Sequence, residues 1–339
     1  MATPGKIVCF GEVLLRLAAP PGEMLLQSAE LKVAVGGAEA NVAVALARAG
    51  VPVAMVSVLP ENPLGAAARD SLRRYGVDGQ RIRFAPGRMG LYFLTPGAVT
   101  RPSQVFYDRA ASAFAVAPPD LIDWADELQG ASRLHLSGIT PALGANPAAA
   151  ALRAARAAVG LGVPVSFDAN YRAALWTGRE AQASELLRSL LAESETAFVD
   201  HRDISLVLQR PPSGDGPARD AEMAAEAFRA FPKLRRIAFT QRVVQFADRH
   251  ELVAHLIARD RAPLATSPRA LPGIVDRIGA GDAFAAGVLY GLWRGLGDAR
   301  ALDYGLASAC LKHSVSGDAG MATAADLEAF LAGGLDVRR

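Results

Sequence analysis

The sequence predicts an α/β protein: a mostly parallel sheet with helices on both faces, and a small separate sheet beside it. Short β-rich runs alternate with Ala- and Leu-rich helical stretches along most of the chain, and such alternation winds a parallel sheet. Two stretches break it, "EVLLRLAAPPGEMLLQSAELKVAV" and "GLYFLTPG" with "SQVFYDRA". Strand there follows strand with no helix between, which fits no βα layer and predicts a small sheet covering one end of the large one. The chain has 339 residues, 51% of them hydrophobic, enough for a large packed core. Length alone suggests two domains, but α/β folds often reach this size as one unit.

The elements follow in order. "KIVCFGEVLLRL" reads as a first strand, and "GGAEANVAVALARAG" as a helix with Gly50 just past its end, where a left-handed residue is wanted. "VPVAMVSVL" is a strand, and "NPLGAAARDSLRRYG" a helix closed by Gly76. After the strand "RLHLSGI", the run "NPAAAALRAARAAVG" offers Asn146 as N-cap, Pro147 at the first helical position and Gly160 at the exit. "VPVSFDAN", "TAFVD" and "RRIAFT" are further strands, and the Pro- and Gly-rich 209–220 is a loop. Three helices close the chain, over 281–294, 299–314 and 323–332.

Composition narrows the function. Net charge is only +2 with scattered Lys and Arg, which argues against a nucleic-acid partner. Cys9 and Cys310 both lie in apolar runs and read as buried reduced thiols. The start "MATPGKIVCFGEVLLRL" lacks an apolar signal core, and no apolar run reaches the roughly 18 residues of a membrane span. The expectation is a cytoplasmic globular protein with no membrane partner.

The segment "DRIGAGDAFAAG" carries the chemistry. Gly279, Ala280 and Gly281 stand where a helix begins, and small residues let an anion approach its unpartnered N–H groups. Asp282 then lies in the first turn beside that anion. A carboxylate next to an anion pocket suits phosphoryl transfer to an alcohol: it takes the hydroxyl proton while the N–H groups stabilise the moving phosphate. Read alone, the motif fits equally a tight turn with an acidic helix start. In "VGGAEANVA", Gly36 and Gly37 precede a helix with Glu39 and Asn41 in its first turn, a place for a polyhydroxylated ligand or simply a tight helix start. "SFDANYRAALW" ends a strand with Asp168, Asn170, Tyr171 and Arg172, where parallel sheets bind ligands.

Together, "VGGAEANVAVALARAG", "SGITPAL" with "FDANYRAALW", and "DRIGAGDAFAAGVLYGL" resemble the ribokinase-like (PfkB) carbohydrate kinase family over essentially the whole chain. "GLYFL", "RPSQVFYDRAASAFA", "NYRAALW" and "CLKHSVSGD" resemble its 2-keto-3-deoxygluconate kinases most. The resemblance implies one three-layer α/β/α domain over 1–339 with a small β lid inserted at about 13–34 and 88–114. It implies transfer of the γ-phosphate of ATP, with Mg²⁺, to a sugar hydroxyl. Asp282 would be the base, with the N–H groups of Gly279, Ala280 and Gly281 as anion hole. The family pattern puts Gly36, Gly37, Asn41, Tyr92, Tyr107, Arg109, Arg172 and Asp318 around the substrate, and two arginines suit a sugar acid. It puts Asn170, Arg172, Asp200, Thr240, Arg242, Gly279 and Gly281 around the nucleotide, with Asp203 acting indirectly on the metal. The product would be a 6-phosphate in an Entner–Doudoroff type route, and the protein a homodimer paired through its lids.

Two departures fall on the nucleotide side. "DHRD", Asp200 to Asp203, stands where the family has an Asn-x-x-Glu type motif, and "TQRVVQF" replaces a glycine-rich loop. They leave open a sugar-binding protein with little catalysis, and the kinase reading leaves open a neutral sugar such as fructose or ribose. A dinucleotide enzyme is set aside, because "CFGEVLL" lacks Gly-x-Gly-x-x-Gly after the first strand.

Overall fold

Near-continuous apolar strands need cover on both faces, and the main sheet provides positions where they have it. The computed structural model describes residues 5–333. Residues 1–4 and 334–339, which the predicted domain and the opening segment include, lie outside the described residues. The strands are β1 (Lys6–Phe10), β2 (Leu14–Ala18), β3 (Lys32–Gly36), β4 (Val53–Pro60), β5 (Ile82–Ala85), β6 (Gly90–Thr95) and β7 (Gln104–Asp108). They continue with β8 (Ala131–Ser137), β9 (Val165–Asp168), β10 (Thr196–Phe198), β11 (Arg236–Phe246), β12 (Arg249–Ala258), β13 (Leu264–Ala265) and β14 (Arg269–Pro272).

The main sheet runs β13-β12-β11-β10-β9-β8-β1-β4-β5, with β14 also paired to β12. From β11 to β5 all neighbours are parallel, and β12 pairs antiparallel with β11, β13 and β14. Side chains alternate across it. Ile7 and Cys9 enter one core, with the helices Ala38–Arg48, Ala280–Trp293 and Gly297–Lys312; Val8 and Phe10 enter the other, with Ala145–Gly160, Glu180–Ala192 and Gly216–Ala230. This is the three-layer α/β/α arrangement. The second sheet, β3-β2-β6-β7, is built from the two stretches that broke the alternation. Both cysteines are buried and unpaired, and no helix among the described residues is long and apolar enough to cross a membrane.

Several boundaries differ from the expectation. "KIVCFGEVLLRL" is two strands in two sheets, broken at Gly11–Val13. The β1–β4 pairing ends at Phe10, and the Ser57 hydroxyl donates to the Gly11 carbonyl (2.7 Å) as the chain leaves for the second sheet. The helix Ala145–Gly160 starts early, so Gly144 caps it and Asn146 instead donates to the Val116 carbonyl (3.2 Å). Its left-handed exit residue is Gly162, not Gly160. The loop after Leu208 is shorter than expected, since a helix already begins at Gly216. The closing helices are Ala280–Trp293, Gly297–Lys312 and Ala324–Leu331.

Candidate active site

The chain leaves β14, turns through Asp276–Gly279 and enters the helix Ala280–Trp293. Gly279 is its N-cap, at φ 78°, in the left-handed region. A Cβ there would lie 1.7 Å from the Asp318 carbonyl oxygen. Conformation and space both demand glycine. The open donors differ by one from the predicted set. The Ala280 N–H turns back onto the Arg277 carbonyl (3.3 Å), while the N–H groups of Gly279, Gly281 and Asp282 have no protein partner among the described residues. The donors the turn leaves open are therefore those of 279, 281 and 282, because the tight turn uses the donor of Ala280.

Asp282 projects from the first turn into buried surroundings and accepts a hydrogen bond from Asn41 Nδ2 at 2.7 Å. Burial pushes its carboxyl up to about 7; Asn41 and Arg172 oppose the shift, and Asp318 and Glu39 add to it. Asp168, at the end of β9, is pushed to about 8 by burial and by Asp282, and Asp203 to about 6 by burial and by Asp200. Three carboxyl groups are thus held near neutral pH around one space. Arg172 is exposed and acts electrostatically on all three, although it forms no ion pair among the described residues.

On the second-sheet side, Asp318 is buried and engaged. Arg16 Nη1 donates to its Oδ1 (2.9 Å), the Tyr92 hydroxyl to its Oδ2 (2.6 Å), and the same Arg16 nitrogen pairs with Asp276 (2.7 Å). Gly36 is glycine because a Cβ would sit 2.2 Å from Asp318 Oδ2. Gly37 caps the helix that carries Asn41. Tyr107 lies across from Tyr92 on β7, with ring centroids 6.3 Å apart. Arg109 is buried, and its Nε donates to Glu12 (2.6 Å), which also accepts from Ser112. Its planar head is therefore half committed to the protein. Glu39 turns away from any ligand: its Oε1 accepts from the Ser137 N–H and hydroxyl and from Thr140.

On the opposite side, "DHRD" forms a capping box for the helix His201–Leu208: Asp200 accepts from the N–H groups of Arg202 and Asp203, and Asp203 Oδ2 accepts from the Asp200 N–H. Asp200 is taken up further by the Arg202 guanidinium. Asn170 is left-handed (φ 41°), and its N–H donates to Asp168. Where a glycine loop was expected, β11 continues through 240–246 as one arm of a long hairpin with β12, with a bulge between Val244 and Phe246. Thr240 and Arg242 share one face of that arm. Burial and the neighbouring Arg277, Arg172 and Arg202 lower the proton affinity of Arg242. This collection of positive charge next to open helix N–H groups favours polyphosphate. Arg277 is part of it, and the sequence reading did not single it out.

Comparison with known proteins decides the assignment. The family model for pfkB family carbohydrate kinases matches residues 4–324. The chain belongs to the PfkB carbohydrate kinase family. It is 36% identical to the crystal structure of 2-dehydro-3-deoxygluconokinase from Thermotoga maritima, covering 98% of this chain and 99% of that one, with a TM-score of 0.92. It is 34% identical to the 2-dehydro-3-deoxygalactonokinase of Haloferax volcanii, covering 97% of each chain. It is 29% identical to the 2-dehydro-3-deoxygluconokinase of Thermoproteus tenax, covering 92% of this chain and 90% of the relative. As a PfkB carbohydrate kinase the chain joins its second sheet to its GAGD turn through Arg16, Asp276 and Asp318. Arg16, Glu12 and Asp276 were absent from the sequence-based site, because nothing local marks the long-range contacts of Arg16 with Asp318 and of Glu12 with Arg109.

Proposed function

We propose that this PfkB kinase transfers the γ-phosphate of ATP to the 6-hydroxyl of 2-keto-3-deoxygluconate, giving the 6-phosphate. The observation that carries the reading is a buried carboxylate, Asp282, poised near neutrality in the first turn of a helix whose N–H groups are open to an anion. Asp282 takes the proton of the acceptor hydroxyl. The hydroxyl oxygen forms a bond to the γ-phosphorus as the bond to the ADP oxygen breaks, and the N–H groups of 279, 281 and 282 hold the charge of the transferring group. Asn41 orients the carboxylate. Arg172, with no carboxylate partner among the described residues, takes the carboxylate of the sugar acid or the phosphates beside it. The outer edge of Arg109, Tyr107 and the Asp318–Tyr92 pair wall the sugar.

Mg²⁺ fits the donor set. Asp168 and Asp203 offer hard oxygen ligands, and both carboxyls are raised by burial first and by neighbouring negative charge second. Among the described residues no three Asp, Glu, His or Cys side chains are arranged to hold a metal by themselves. That suits an ion which keeps phosphate oxygens and waters in its shell. When bound it neutralises phosphate charge. ADP formation by purified protein with the sugar acid tests the reading; turnover only on fructose or ribose would refute the substrate. The 34% identity to a 2-dehydro-3-deoxygalactonokinase over 97% of each chain favours a second reading, the galactonate epimer, alone or together with the gluconate.

We also propose a homodimer formed through the second sheet. Its outer face carries Leu17, Phe93 and Phe106 in one row across three strands, with Val33 at the edge, and Phe106 and Val33 are 65% and 59% exposed. Light scattering on wild type and Phe106→Glu tests it: the expected result is a dimer converted to monomer.

A further inference from the structure

One buried cation plays no part in the chemistry above. Lys312 ends the helix Gly297–Lys312, is only 1% exposed, and has no carboxylate within ion-pair distance among the described residues. A buried ammonium without a paired carboxylate is costly, so its hydrogen bonds identify what retains it. Its Nζ donates to two main-chain carbonyls, Asp276 (3.2 Å) and Val315 (3.1 Å). Those residues head the two segments that meet at the anion-binding turn. Asp276 begins Asp276–Gly279, and Val315 begins the loop to Asp318, whose carbonyl packs against Gly279. The Asp276 carboxylate ties the same segments from its other end, accepting from Arg16 (2.7 Å) and from the N–H groups of Ile278 (3.0 Å) and Gly317 (3.1 Å). Burial lowers the proton affinity of Lys312, and the carboxylates of Asp276, Asp318 and Asp282 restore part of it.

We propose that Lys312 is a positioning residue, a built-in cation that clamps the 276–279 turn to the 315–318 loop and so fixes the N–H groups of 279, 281 and 282 for the transferring phosphate. It touches neither sugar nor nucleotide. Without it, two carbonyls aimed at one buried point repel each other, and the turn can relax by changing the very peptide units that face the anion. The inference rests on the kinase reading.

The test uses the full chain and two variants. Lys312→Met keeps much of the volume and removes donors and charge. It is expected to lower kcat by about 10²-fold, the scale of an ångström-sized misplacement, with the acceptor KM changed by less than about threefold, since no substrate contact is lost. Amide hydrogen exchange in the peptide covering 276–284 is expected to speed up, while exchange in β1 and β8 stays unchanged. Lys312→Ala leaves room at the ammonium position, and added ammonium or methylammonium is expected to restore about tenfold of the lost kcat, a recovery that packing alone would not give. Wild-type kcat kept by Lys312→Met, or a loss that no amine recovers together with unchanged exchange at 276–284, overturns the proposal. A wild type that turns over no substrate refutes the kinase reading separately, and the exchange comparison then still decides whether the clamp exists.

Discussion

Replacing Asp282 by Asn should abolish turnover and, against intuition, stabilise the protein in a pH-dependent way. The carboxyl is raised from 3.8 to about 7, mainly by burial. About three units at 1.36 kcal/mol each set an upper bound of about 4 kcal/mol for ionising it in the fold at alkaline pH. The penalty is shared with Asp168, which responds to the same charge, so about half, ~2 kcal/mol, is assigned to this site. The sign follows from the raised folded value. Well below 3.8 the group is protonated in both states and costs nothing. The cost grows as pH rises from about 4 to about 7 and is constant above that. Asn carries no charge but keeps an oxygen to accept from Asn41. With unfolding entropy of about 2.1 cal/mol/K per residue, ~2 kcal/mol corresponds to a Tm gain of about 3 °C for a chain of this length. At pH 5 the gain should be about 1 °C. Calorimetry of both proteins at pH 5 and 8.5 measures this, and ADP release should fall by about 10³-fold or more. A variant equally stabilised at both pH values, or less stable than wild type at pH 8.5, would refute the burial argument. Near-normal turnover would refute the role of the carboxylate.

The same group predicts that kcat/KM falls about tenfold per pH unit below about pH 7, as the base becomes protonated; a flat profile down to pH 5 would contradict it. Arg109→Leu strands the buried Glu12 carboxylate and should lower stability by about 3 kcal/mol, read as a drop in the denaturation midpoint before any kinetic effect is interpreted. Arg172→Ala, at an exposed residue without an ion pair among the described residues, should leave stability within about 0.5 kcal/mol. In steady-state kinetics it should raise KM for an acidic sugar by about tenfold or more and hardly change it for fructose. Gly279→Ala puts a methyl group onto the Asp318 carbonyl and should cost about 10²-fold in kcat through the displaced turn; retained activity would show that the turn does not need glycine.

What could be read from the chain followed how local its cause was. The GAGD turn was legible because a left-handed position at a helix start demands glycine wherever it occurs. Gly50 and Gly76 ended their helices for the same reason. The second sheet was legible from the strand-after-strand pattern alone. The engagement of Ala280 was not, since it depends on how tightly 277–280 turns. "DHRD" holds a usable local sign, because an Asp followed three residues later by a second acid before an apolar run fits a capping box, as the structure shows. β12 alternates buried and less buried positions, a strand signature, yet "RHELVAHLIA" does not stand out by composition. Arg16 and Lys312 were invisible for another reason. Their partners are set by where the second sheet and the last helices dock, not by neighbours in sequence.

The central claim is that this chain phosphorylates a keto-deoxy sugar acid through Asp282. The most direct test is ADP formation from Mg-ATP by wild type and Asp282→Asn, over 2-keto-3-deoxygluconate, 2-keto-3-deoxygalactonate, gluconate, fructose and ribose. The account predicts turnover on one or both keto-deoxy acids, little on the neutral sugars, and loss of turnover in the variant with sugar binding retained. Turnover confined to a neutral sugar, or undiminished in the variant, would contradict it.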